Sequence, residues 1–94
     1  RSMTRETVLN ERRELSDRLT ELDCTVYPSQ ANFLMFRTPV DAQTLHHRLL
    51  EKGIIVRPLA SYGLPNLLRV SVGREDENRA FLRALEYIVS KQAA

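Results

Sequence analysis

Apolar residues recur along this chain at two different periods, and the switches between them mark out its elements. Val8, Leu15, Leu19 and Leu22 fall seven, four and three residues apart, which predicts one apolar stripe on a helix from residue 4 to about 22. Asp23 to Tyr27 reads as a connector or a short edge strand. Pro28-Ser29-Gln30-Ala31 then leads into Asn32-Phe33-Leu34-Met35-Phe36, apolar on both faces and so expected to be a strand covered on both sides. Thr38-Pro39-Val40 breaks it. Ala42, Leu45 and Leu49, widened by Leu50, predict a second helix, with Asp41 as its N-cap and Lys52-Gly53 closing it. Ile54 to Val56 is a β-branched run leading to Arg57, and Pro58, lacking an amide hydrogen, is expected to end its pairing. Turn chemistry follows at Tyr62-Gly63-Leu64-Pro65-Asn66. Leu68, Val70 and Val72 then alternate with Arg69 and Ser71, the pattern of a strand with one buried face. Glu75, Asp76 and Glu77 open a last helix with acids in its first turn, and Phe81, Leu85 and Ile88 are its buried stripe, flanked by Leu82 and Val89. Residues 90–94 read as a frayed end.

The predicted order is helix, strand, helix, strand, strand, helix. That makes residues 1–94 a single α+β domain, a small α/β sandwich with a sheet of at least three strands. The helix between the strands at 32–36 and 54–57 allows a right-handed crossover with parallel pairing, and the strands at 54–57 and 68–72 are expected to be antiparallel neighbours.

Composition narrows the function classes. Hydrophobic residues make up 43% of the chain, yet no run approaches the roughly 20 apolar residues a membrane span needs. No signal peptide is visible, and a start at Arg1-Ser2-Met3 inside a helical pattern suggests a piece of a longer chain. Fourteen basic and twelve acidic residues are interleaved, leaving a net charge of +2, which argues against a nucleic-acid surface. The single cysteine, Cys24, forms no internal disulfide, fits a reducing compartment, and is expected to be a small buried hydrophobe. Arg12-Arg13 reads as part of a solvated helix face rather than an anion patch. His46 and His47, adjacent on a helix, point about 100° apart and cannot share one metal.

No catalytic motif is complete: there is no phosphate-binding glycine loop, zinc spacing or nucleophile elbow. The two lysines, Lys52 and Lys91, lie at a helix end and in the tail, where a desolvated Schiff-base amine is not expected. What remains is anion recognition. Arg69 alternates with inward apolar residues, so its planar fork projects from a rigid strand, and Arg57 ends the neighbouring one. Spacing alone leaves surface or ion-pair roles open for both. Tyr62 is expected to pack within its turn rather than line a site.

Pro28-Ser29-Gln30-Ala31-Asn32-Phe33, Gly53-Ile54-Ile55-Val56-Arg57 and Leu68-Arg69-Val70-Ser71-Val72-Gly73, with Glu75 and Asn78 following, closely resemble the C-terminal small domain of class I/II, fold-type I aminotransferases. The second segment resembles the histidinol-phosphate branch more narrowly. The resemblance covers nearly the whole chain, though the first helix matches mainly by pattern. It implies that Arg69 binds a substrate α-carboxylate, that Arg57 binds a substrate phosphate, and that Asn32 has a minor role beside the active site. It implies pyridoxal 5'-phosphate as cofactor, held with the Schiff-base lysine by a large domain that is not in this chain. Transamination between L-histidinol phosphate and 2-oxoglutarate in histidine biosynthesis, by a cytoplasmic homodimer, is the implied activity, with these residues inactive alone. Another class I/II aminotransferase, a threonine-phosphate decarboxylase, or a stand-alone α+β ligand-binding or regulatory module are the alternatives.

Overall fold

The computed structural model describes residues 3–27, 29–30 and 32–93, and three helices lie against one face of a four-stranded antiparallel sheet. The elements are α1 (Arg5–Glu21), β1 (Thr25–Tyr27), β2 (Phe33–Arg37), α2 (Ala42–Glu51), β3 (Arg57–Pro58), β4 (Leu68–Ser71) and α3 (Glu75–Ala93). A short 3-10 turn, Ala60–Tyr62, precedes β4. The expected order holds, with the short edge strand at 25–27 as its additional member. The final helix runs on to Ala93 instead of fraying from residue 90.

Local chemistry sets the element ends. Thr4 Oγ1 accepts from the Thr7 N–H, and Asp41 Oδ2 accepts from the Thr44 N–H, so both first helices carry side-chain N-caps, each typically worth about 1 kcal/mol. α1 ends in a Schellman turn: Cys24 N–H donates to the Leu19 carbonyl and Asp23 N–H to the Thr20 carbonyl, with Asp23 left-handed at φ 66°. α2 ends the same way through Gly53 at φ 80°, where glycine carries no Cβ penalty. That turn takes up Ile54, so the β-branched run 54–56 is not a strand, and Ile55 is 77% exposed.

The strand order is β1-β2-β4-β3. β2 and β3 therefore run parallel but are not partners, because β4 inserts between them, antiparallel to both. This corrects the expected parallel pairing; the antiparallel β3–β4 pair was expected. Pro58, expected to end pairing, lies inside the ladder opposite Leu68. Leu59 N–H donates to the Leu67 carbonyl, and by alternation Pro58 falls at a position where no amide hydrogen is required.

Alternate residues divide the sheet. Leu34 and Phe36 of β2 and Leu68 and Val70 of β4 are buried under α1, α2 and α3. Phe36 meets Phe81 of α3 edge to face, ring centroids 5.9 Å apart. α3 packs against both other helices. Phe33 and Met35 are only half-buried on the opposite face, so β2 is not covered on both sides as its composition suggested. No described helix is long and apolar enough to cross a membrane.

Candidate anion-binding site

The register places Tyr27 opposite Met35, Met35 opposite Arg69, and Arg69 opposite Arg57. Directly opposed residues in an antiparallel sheet share a face, so one row across all four strands reads Tyr27–Met35–Arg69–Arg57 on the side away from the helices. The bond from Leu59 to Leu67 makes Arg57 and Arg69 a hydrogen-bonded pair, whose Cα atoms lie about 5.5 Å apart. Both guanidinium groups leave the same side of the sheet.

Like charges so placed repel, at a cost of roughly 0.2–1 kcal/mol. Among the described residues no acid relieves it: the ion pairs are Arg18 with Glu21, Arg74 with Asp76 and Glu77, and Arg79 with Glu75, all exposed and none including Arg57 or Arg69. Arg69 is half-buried and lies over the ring of Phe33, its Cζ 4.6 Å from the centroid, while Arg57 is exposed. Two guanidinium groups rising from directly opposed residues, with no acid partner among the described residues, are of a chemistry that can meet carboxylate or phosphate oxygens.

The other candidates lie elsewhere. Asn32 precedes β2 in an exposed turn, three residues along the strand from Met35, and its carbonyl accepts from the Val72 N–H at 2.9 Å. The fold does not bring it into the arginine row. Tyr62 ends the 3-10 turn 69% exposed, so it does not pack into that turn as expected. The rings of His46 and His47 stand 5.5 Å apart, and no cluster among the described residues suits a metal. Cys24 is buried; burial, with the charge of Asp23 adding to it, pushes its thiol up to about 12, so it stays protonated and unreactive.

Two residues that pattern reading passed over organise the end of the sheet nearest Asn32. Arg12, read as solvated, donates from Nη1 to the carbonyls of Gln30 and Phe33 and from Nη2 to the Ser29 carbonyl and hydroxyl. Asn78 is 5% exposed: its Oδ1 accepts from the Gly73 N–H, and its Nδ2 donates to the Gly73 carbonyl and to Glu11 Oε1, each at 2.9 Å. It pins the β4–α3 junction to α1. The signal for Asn78 was its place on the Phe81–Leu85 stripe. Arg12 offered none, because its partners are 17 to 21 residues away.

Pyridoxal phosphate does not fit these residues. Lys52 and Lys91 both point at Tyr87, Nζ 4.7 and 5.5 Å from its ring centroid, and Lys52 caps the C-terminus of α2. Neither is the desolvated amine a Schiff base needs.

Residues 2–85 match the family model for aminotransferases of class I and II, and the chain belongs to that family. Histidinol-phosphate aminotransferase of Nitratidesulfovibrio vulgaris Hildenborough is 53% identical over 89 residues, which are 95% of this chain and 24% of that relative. The same enzyme of Aquifex aeolicus is 43% identical over 81 residues, 84% of this chain and 23% of that one. The crystal structure of histidinol-phosphate aminotransferase from Clostridium acetobutylicum superposes with a TM-score of 0.83 at 25% identity, over 92% of this chain and 27% of that one. The chain thus spans about a quarter of the length of the relatives it matches.

Proposed function

We propose that this chain is the substrate-clamping small domain of a pyridoxal-phosphate-dependent histidinol-phosphate aminotransferase, with Arg57 and Arg69 as the clamp. The observation that carries the reading is the unneutralised cross-strand arginine pair on the uncovered sheet face. Arg69 takes a substrate α-carboxylate and Arg57 a substrate phosphate; Asn32 is at most peripheral. The two half-reactions suit such a pair. L-Histidinol phosphate carries a phosphomonoester and no carboxylate, whereas glutamate carries an α-carboxylate. Adjacent guanidiniums meet either anion, with bidentate bonds that hold the substrate's amine-bearing carbon in a fixed orientation.

The cofactor and its lysine belong to residues outside this chain, which has no amine suited to the role. The parent enzyme is then a cytoplasmic homodimer acting in histidine biosynthesis, and these residues alone are inactive. The relatives' names and the family match support the activity, and the coverage of about a quarter supports the domain assignment.

The test is steady-state transamination by the full-length enzyme, loaded with cofactor, between L-histidinol phosphate and 2-oxoglutarate. Turnover is expected, and Arg69→Ala should lower kcat/KM for 2-oxoglutarate roughly 30- to several-thousand-fold, the range for removing one side of a desolvated charge pair. Turnover of unphosphorylated amino acids with none of histidinol phosphate contradicts the substrate assignment.

A further inference from the structure

The β1–β2 ladder stops at Tyr27 opposite Met35. Because the Val72 N–H donates to the Asn32 carbonyl, alternation turns the Phe33 carbonyl to the other edge of β2, toward β1, where no strand residue remains to meet it. Arg12 reaches across from α1 and takes that place. Its Nη1 donates to the Phe33 carbonyl at 2.6 Å, and the Ser29 hydroxyl donates to the same oxygen at 2.8 Å. The remaining bonds of the guanidinium close on Ser29 and Gln30, so one planar fork gathers two carbonyls of the segment before β2 and the carbonyl of its first residue. Neutral oxygens, three carbonyls and the Ser29 hydroxyl, are the hydrogen-bond partners of that charge among the described residues.

The residue held this way carries the ring beneath Arg69. Phe33 is diagonal to Arg69 across β2 and β4, and the guanidinium carbon sits 4.6 Å from its centroid. A long arginine side chain loses considerable rotamer freedom when ordered. A ring with two torsions on a fixed backbone limits that freedom before any anion arrives. We propose that Phe33 is a positioning residue for the Arg69 guanidinium, and that Arg12 anchors this platform by fixing the Phe33 backbone. The inference rests on the reading of Arg69 as an anion-binding group.

The test uses the full-length enzyme and separates KM from kcat. Phe33→Leu keeps an apolar side chain and removes the π face; it should raise KM for the carboxylate-bearing substrate roughly 2- to 30-fold, the span of cation–π contributions, with a smaller change in kcat. Phe33→Tyr should restore KM. In an Arg69→Lys background, Phe33→Leu should add little, because the group it orients is gone. Arg12→Met should raise KM in the same direction while lowering Tm. If Phe33→Leu fails to fold, Arg12→Met decides alone: an unchanged KM with a lowered Tm overturns the proposal. A wild-type KM in Phe33→Leu, or a penalty undiminished beside Arg69→Lys, overturns it too, and leaves the clamp standing where Arg69→Ala is impaired. An unimpaired Arg69→Ala instead removes the clamp and the platform together.

Discussion

Leu34 and Phe36 are 1% and 0% exposed; Phe33 and Met35, one residue away on the same strand, lie half open. The same alternation on β4 buries Leu68 and Val70 and turns Arg69 and Ser71 outward. The two faces of this sheet share every backbone bond and differ in what completes them. On the helix side the apolar groups interlock, and the one buried polar residue among the described residues, Asn78, has its side-chain amide bonded through both atoms. The other side presents two facing cations and a half-open aromatic ring, with no acid among the described residues to balance them. Folding alone gives no reason to place arginines there, since the repulsion works against the sheet. Under the proposed function, an anion supplied from outside gives the arrangement its purpose.

The largest effect that separates the faces is on stability. Phe36→Ala removes a fully buried ring and its contact with Phe81, and should cost about 3–5 kcal/mol, a large share of a small domain's stability. The urea midpoint reads it, and a loss below about 1 kcal/mol would mean the helix side is not the tightly packed layer described.

A smaller effect comes from Cys24 at the rim of the same core. The folded state holds the thiol proton up to about 12, against 9.0 ordinarily. The stabilisation is thus intact below the ordinary value and drains away as pH rises between the two. Cys24→Ala should flatten the fall in urea midpoint across that window. An unchanged slope would show that the thiol is not desolvated.

The covered face was legible in the sequence and the open face only partly so. Strict alternation from Leu68 to Val72 declared β4 and the direction of Arg69. β2 was misjudged because Phe33 and Met35 are apolar on the open side, one of them under Arg69, so hydrophobicity did not mean coverage. The run at 54–56 looked like a strand because β-branched content says nothing of the turn that consumes Ile54. Pairing order was beyond local pattern, since β4 comes later in the chain yet enters between β2 and β3. The two arginines were found by residue type and by resemblance. That they are directly opposed depended on register, which no local spacing encodes.

The central claim is that Arg57 and Arg69 are kept together for an outside anion at the expense of the sheet. Arg57→Glu in the full-length enzyme tests it most directly, read as Tm together with kcat/KM for a phosphorylated and an unphosphorylated substrate. The account predicts a protein as stable as the parent or more so, by about 0.2–1 kcal/mol from the new cross-strand pair, with kcat/KM lost selectively for the phosphorylated substrate. A lowered Tm with kcat/KM unchanged for both substrates would contradict it.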